Sequence, residues 1–353
     1  MKKAIIFLGI RPDIIRLSLI IKEMQAHFNV VLVDSSQHYD DNLNKIFYQE
    51  LNIPEPIRLK TDTSPKGKQL GSIIEKTMEV LEKETPDFCV VLGDNDSSLC
   101  FTIATTKLKI PLVHIEAGMR SYNWEMAEEK NRRAIDHLAD LNICYLQEHK
   151  ENLMREGLFE RNIFVVGNPI IDVVSLWSEK TKRPDFNKYG SYVLVTLHRG
   201  ENVDNKDKLQ GILIALSKIN KNVVMVLMPR TKQKIEEFGF TLPPYVKTIP
   251  PQSFLDFLSF EKYADSILTD SGTVVEEAFI LGVPCVTIRD STERVDLIRM
   301  GVNILTGTKA EDILKAVESP HAISINPESH YGSWVAEKIA TVLRSNWQFW
   351  EKR

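Results

Sequence analysis

The chain has 353 residues, 43% of them hydrophobic and 26% charged, enough for two domains of ordinary size with packed cores. Its formal net charge of −4 and pI near 6.1 give no bulk electrostatic reason to bind nucleic acid or a membrane surface. No apolar run approaches the roughly 20 residues of a membrane span.

The opening MKKAIIFLGIRP sets two lysines before an apolar run, but the run stops at Arg11-Pro12 with no small-residue cleavage site after it, so it reads as a first strand. Further strands are predicted at VVLVDS (30–35), FCVVLGD (88–94), PLVHIEAG (111–118), LNICYL (141–146) and IFVVGN (163–168). Helices are predicted between them, among them 13–28, 69–85 and 97–109. The alternation is the βαβ pattern of a parallel sheet covered on both faces. Residues 173–191 read as a helix and then a polar link. A second series follows, with strands at YVLVTLH (192–198), VVMVLMP (223–229), VKTIPP (246–251), DSILTDS (265–271) and PCVTIRD (284–290). We therefore expect two Rossmann-like α/β domains, 1–172 and 173–331. A C-terminal helix, 332–353, aromatic at its end, is expected to pack back across the junction. Cys89, Cys100, Cys144 and Cys285 lack CxxC spacing and read as reduced core thiols of a cytosolic protein.

Ligands of open α/β sheets bind beyond the carboxyl ends of strands, so the polar residues that close each strand are the candidates. LGIRPDIIR (8–16) has neither a GxGxxG nor a GxxxxGK[ST] pattern, which leaves dinucleotide and P-loop phosphate cradles unsupported. Arg11 and Arg16 belong at the helix N-terminus, where an anion is favoured, or form a plain surface pair. CVVLGDNDSSL (89–99) places Asp94 at a strand end as an acid or base, with Asp96 capping the next helix; no His or Cys neighbours support a metal site. HIEAGMRSYNWEMAEEKNRR closes its strand with Glu116 and starts a helix near Met126. There Glu128–Arg132 and Glu129–Arg133 are i,i+4 pairs; Glu129 reads as solvated surface and Glu128 as pointing into the cleft. His198, flanked by Arg199, Glu201 and Asn202, is as plausibly a titrating group as a structural one. LTDSGTVVEEA (268–278) is either an ordinary helix cap or a phosphate cradle from backbone N–H groups and hydroxyls, with Glu276 or Glu277 able to accept from ribose; RDSTER (289–294) adds two arginines.

In this order the motifs GIRPD (9–13), SQH (36–38), GDN (93–95), HIEAG (114–118), AEEKNR (127–132), HRGEN (198–202), DSGTVVEEA (270–278) and RDSTER (289–294) resemble those of the non-hydrolysing UDP-N-acetylglucosamine 2-epimerases. The resemblance spans almost the whole chain and implies the two-domain glycosyltransferase-B (GT-B) architecture, with a ligand cleft between the domains. It also implies inversion of C2 of a UDP-2-acetamido sugar, UDP-GlcNAc to UDP-ManNAc first. UDP leaves to give a 2-acetamidoglucal and then re-adds, with neither redox cofactor nor metal. Asp94, Glu116, Glu128 and His198 take the catalytic positions. Arg11, Arg16, Arg199 and Arg294 take substrate positions, with Ser271, Gly272 and Thr273 at the diphosphate and Glu277 at the ribose. A cytoplasmic homodimer serving surface polysaccharide synthesis is implied as well. The chain departs from the family pattern at Ile10, Asp13, Asn95, Ala127, Thr273 and Val295, and Asp40 falls in the segment through which a second UDP-GlcNAc activates many relatives. These departures put the identity of the sugar in question, a UDP-6-deoxy-acetamidohexose being an alternative, along with hydrolysis to free sugar and glycosyl transfer.

Overall fold

The central strands of both halves are largely apolar, as parallel strands covered on two faces must be. β4 (Phe88–Leu92), for example, is buried at every residue. The computed structural model describes residues 1–35, 41–62, 64–319 and 323–346. The SQH motif, Asp40 and the terminal Trp347 and Trp350 lie outside them.

The first sheet contains β1 (Lys3–Leu8), β2 (Asn29–Asp34), β3 (Ile57–Arg58), β4, β5 (Leu112–Ile115), β6 (Leu141–Cys144) and β7 (Ile163–Val165). Their order across the sheet is β3-β2-β1-β4-β5-β6-β7, and every pairing is parallel. The second sheet contains β8 (Tyr192–Thr196), β9 (Asn222–Val226), β10 (Val246–Ile249), β11 (Ser266–Thr269), β12 (Cys285–Thr287) and β13 (Asn303–Leu305). It repeats the same winding, β10-β9-β8-β11-β12-β13, again all parallel. Each order reverses direction once, between β1 and β4 in the first sheet and between β8 and β11 in the second. At such a switch point the connections leave in opposite directions and open a crevice at the carboxyl ends of the strands.

Two strands were not expected from the sequence, β3 and β13. Both are edge strands of two or three residues, too short to show a periodicity. The chain divides into two compact units: Met1–Val173 with Glu328–Arg353, and Val174–Pro327.

In the first unit Ile5, Phe7, Val33, Cys89, Val91 and Leu112 of the sheet pack against Ile73, Leu81, Phe101 and Ala104 of two helices. Phe7 and Phe101 stack with ring centroids 4.4 Å apart. The helix Val335–Ser345 packs on the helix Arg11–Gln25, and the Asp172 carboxylate accepts the Ala336 N–H at 2.8 Å to hold its start. Gly167, at φ +108°, is required beneath this return: a Cβ there would lie 2.1 Å from the carbonyl oxygen of Tyr331. In the second unit Val193, Val195, Val223, Met225, Leu268 and Val286 form the sheet's share of the core. The helix Gly272–Leu281 stops at Gly282, whose left-handed φ of +73° a glycine takes without strain. All four cysteines are free and buried. Among the described residues no helix is long and apolar enough to cross a membrane.

Candidate active site

In the first unit the switch point gathers charged groups at the ends of β1, β4 and β5. After β1 the backbone N–H groups of Gly9 and Ile10 donate to the Asp13 carboxylate, each at 3.0 Å. Asp13 is the third residue of the helix Arg11–Gln25, so its carboxylate reaches back to groups the helix leaves unpaired. Asn95 Nδ2 donates to the same oxygen at 3.3 Å. This approach is why residue 9 is glycine: a Cβ would sit 2.7 Å from Asn95 Oδ1 and 2.9 Å from Ser97 Oγ. Burial pushes Asp13 up to about 7, against the pull of the two N–H groups and of Arg16. A folded-state value above the ordinary 3.8 means that the native state holds this proton more tightly than the unfolded chain. The contribution to stability is then complete below about pH 4 and is lost as pH rises through about 7. Asp13→Asn, which keeps an acceptor for the two N–H groups, is expected to gain stability relative to the parent over that interval. Urea midpoints measured across it would stay parallel if Asp13 were ionised throughout.

Arg16 is buried one turn later and donates through Nη1 to Glu116 Oε2. Tyr145 Oη donates to the same oxygen at 3.0 Å. Glu116 follows β5 with φ +76°, a left-handed conformation that costs a non-glycine residue on the order of 1–3 kcal/mol and persists where its surroundings hold it. Here the guanidinium and the phenol do so. At the adjacent strand end Arg132 clamps one oxygen of Asp94 through Nε at 3.0 Å and Nη2 at 2.5 Å. Asn131 Nδ2 bonds the carbonyl of Asp94 at 3.0 Å and Asp96 Oδ1 at 2.9 Å.

Two expectations for this region are corrected. The helix Asp96–Lys107 is capped by Asn95, which accepts the Ser98 N–H at 2.9 Å, and not by Asp96. Asparagine stands where the chain is still extended, so the cap falls one residue early; Asp96 pairs instead with Lys66 at 2.5 Å. Glu129, expected on a solvated face, is fully buried. The loop 119–126 folds over that face, and Glu129 accepts from the Ser121 N–H at 2.8 Å and hydroxyl at 2.9 Å, and from Arg132 and Arg133 at 3.2 Å. Glu128 lies half-buried in the first turn of the helix Ala127–Leu138. Arg11, at the first position of its helix, lies over the Phe47 ring at 5.9 Å.

In the second unit the switch point joins His198, just past β8, to Asp270, just past β11. Asp270 is buried and meets His198 Nδ1 at 3.0 Å. It also accepts the backbone N–H groups of His198 and Arg199, at 3.1 and 2.8 Å, and Asn202 Nδ2 at 3.3 Å. Burial alone would raise Asp270, but His198 and the two N–H groups hold it below the usual carboxylate range. The carboxylate thereby keeps the His198 proton on Nδ1, so that in the neutral ring Nε2 carries the lone pair. The helix Gly272–Leu281 starts at Ser271, which makes no side-chain cap bond, so its hydroxyl is not spent on an ordinary cap. Gly272 is close-packed: a Cβ would lie 2.7 Å from Glu293 Oε1 and 3.6 Å from Arg294 Cζ. Arg294 is buried between Glu276 at 2.9 Å and Glu293 at 3.1 Å, and Arg289 joins Glu201 at 2.8 Å to Glu293 at 3.2 Å. Glu277 is buried in the same helix, four residues after Thr273.

Sequence reasoning missed the roles of Asp13, Tyr145, Asp270 and the pairing of Arg132 with Asp94. Asp270 closes a strand just as Asp94 does, so the rule that found Asp94 and His198 also reaches it. Tyr145 lies one residue beyond β6, within range of the same rule. Among the described residues no group of three or more His, Cys, Asp or Glu side chains is arranged to hold a metal ion.

A family model described as UDP-N-acetylglucosamine 2-epimerase matches residues 22–344. The chain belongs to this family. The UDP-N-acetylglucosamine 2-epimerase of Methanocaldococcus jannaschii is 41% identical over 97% of this chain and 98% of its own length. A crystal structure of the M. jannaschii UDP-GlcNAc 2-epimerase in complex with UDP-GlcNAc and UDP matches with a TM-score of 0.90 at 38% identity, covering 98% of this chain and 100% of that one. The UDP-2,3-diacetamido-2,3-dideoxy-D-glucuronate 2-epimerase of Pseudomonas aeruginosa is 34% identical over 97% of this chain and 99% of its own length. The chain is thus an enzyme of the 2-epimerase type, an isomerase, with two Rossmann-like parallel-sheet domains of GT-B type. The 2-epimerase match begins within the helix Arg11–Gln25, so the GIRPD motif precedes it.

Proposed function

We propose that the chain inverts C2 of a UDP-2-acetamido sugar without hydrolysing it, interconverting UDP-GlcNAc and UDP-ManNAc. One carboxylate takes the C2 proton, the electron pair forms a C1=C2 bond, and the C1–O bond breaks with its pair leaving on UDP. A second acid then protonates C2 of the 2-acetamidoglucal from the opposite face while UDP re-adds at C1. Asp94, Glu116 and Glu128 are the proposed acid/base set and His198, oriented by Asp270, the proposed partner of the leaving UDP. The proposed nucleotide contacts are Arg11, Arg16, Arg199, Arg294, Ser271, Gly272 and Thr273, with Glu277 at the ribose. The chemistry as written uses no redox cofactor and no metal. We place the enzyme in the cytoplasm as a homodimer, supplying a 2-acetamido sugar nucleotide to surface polysaccharide synthesis.

The observation that carries this reading is at the ends of β4 and β5. Leu92 and Ile115 are register partners, so Asp94 and Glu116 leave the same edge of one sheet, each on its own arginine. An acid and a base that act in turn on one carbon need such shared placement. The likeness to the M. jannaschii enzyme favours UDP-GlcNAc as substrate. The P. aeruginosa relative favours a second reading, a 2,3-diacetamido uronic acid. Incubation with each sugar nucleotide, followed by proton NMR, separates the two. We expect UDP-ManNAc from UDP-GlcNAc, with no accumulation of free UDP. Stoichiometric release of UDP would show hydrolysis, and turnover of the uronate alone would establish the second reading.

A further inference from the structure

Behind Asp94 the first unit contains a closed circuit of charges. Arg132 joins Asp94 at 2.5 Å to Glu129 at 3.2 Å, and Arg133 joins Glu129 at 3.2 Å to Glu156 at 2.8 Å. Arg120 joins Glu156 at 2.6 Å to Asp136 at 2.8 Å, and Asp136 meets His114 Nδ1 at 2.8 Å. His114 Nε2 closes the loop on the carbonyl oxygen of Gly93 at 3.0 Å, one peptide bond from Asp94. Four carboxylates alternate with three guanidinium groups and one imidazole.

The ring is held from both sides. A backbone carbonyl only accepts hydrogen bonds, so Nε2 must carry a proton. Asp136 accepts from Arg120 and from the Gly118 N–H at 3.3 Å, and although burial would raise it, His114 and Arg120 hold it below the usual range. Asp136 thus holds the Nδ1 side of the ring. From β6, Cys144 faces Asp136 as a neutral thiol pushed well above its ordinary value by burial, and Asn142 bonds the Asp136 carbonyl at 3.1 Å. The His114, Asp136 and Arg120 side chains are 0% exposed, so no solvent stands in for a missing bond.

We propose that His114 is a positioning residue of the epimerase: its ring, held by Asp136 on one side, pins the Gly93 carbonyl on the other and thereby fixes Asp94 relative to Glu116, two residues on from His114. The two contacts are local geometry; their consequence for catalysis rests on the acid/base roles proposed above. Side-chain nitrogen-15 NMR of the histidine-labelled enzyme, assigned through NOEs to β4 and β5, reads the Nε2 contact directly. The Nε2 of His114 is expected to bear the proton that the Gly93 carbonyl accepts. An Nε2 without one would overturn the proposal, whatever the substrate proves to be. His114→Gln, which keeps one donor, is expected to lower kcat by roughly 10- to 100-fold with KM within about twofold, the signature of misplaced chemistry. A folded His114→Gln enzyme with parental kcat would also overturn it.

Discussion

If Glu116 is the acid or base proposed, Glu116→Gln is expected to lower kcat by about 10²–10⁴-fold, the usual worth of a positioned general acid or base, with a much smaller change in KM. Glutamine matches the shape of glutamate and keeps an oxygen for Tyr145 and Arg16, which donate to Glu116 now. What it loses is the ability to take or give a proton. If Glu116 served only to hold substrate, KM would rise with kcat unchanged. The left-handed φ of +76° at Glu116 sharpens this expectation. A strained backbone at a strand end is maintained against an energetic cost, here with the carboxylate held by Arg16 and Tyr145. Steady-state kinetics of the parent and the variant decide between the two outcomes.

Asp136→Ala is expected to destabilise the protein by about 3–5 kcal/mol, the cost of leaving buried charges without their partner. Asp136 is fully buried and joins His114 to Arg120, both 0% exposed. Its removal also strands the Gly118 N–H, which has Asp136 as its acceptor. Against a total stability of about 5–15 kcal/mol, such a loss removes much of what holds a domain folded. Urea unfolding of the variant measures it. A loss below about 1 kcal/mol would show that Arg120 and Glu156 carry the site without Asp136 and that the circuit is not a unit.

Most of the fold was legible because parallel strands covered on both faces leave a plain trace: continuous apolar runs separated by amphipathic helices. β4 and β8 are buried along their length and stood out for that reason. β3 and β13 did not, since pairing at a sheet edge demands only two or three residues. Among the candidate residues, Asp94, Glu116 and His198 stand just past strand ends as the sequence suggested, because position in a βαβ unit is a local property. Partners are not local. Arg16 meets Glu116 across 100 residues, and Arg132 meets Asp94 across 38. Helical spacing pointed to Glu128–Arg132 as a pair, but it gave no sign that Arg132 also reaches Asp94, far from it in the chain. Glu129 shows the limit of spacing most clearly: its i,i+4 link to Arg133 exists, but the loop that buries it leaves no periodic signal.

Proton chemistry at C2 is tested most directly by running the reaction with UDP-GlcNAc in D2O and reading C2 by NMR and mass spectrometry. Removal of the C2 proton by one carboxylate and its return from another predicts a single deuterium at C2 of the UDP-ManNAc formed, and of recovered UDP-GlcNAc as the equilibrium is approached. UDP-ManNAc formed with its original C2 hydrogen retained would contradict acid/base catalysis by Asp94 and Glu116 at that carbon.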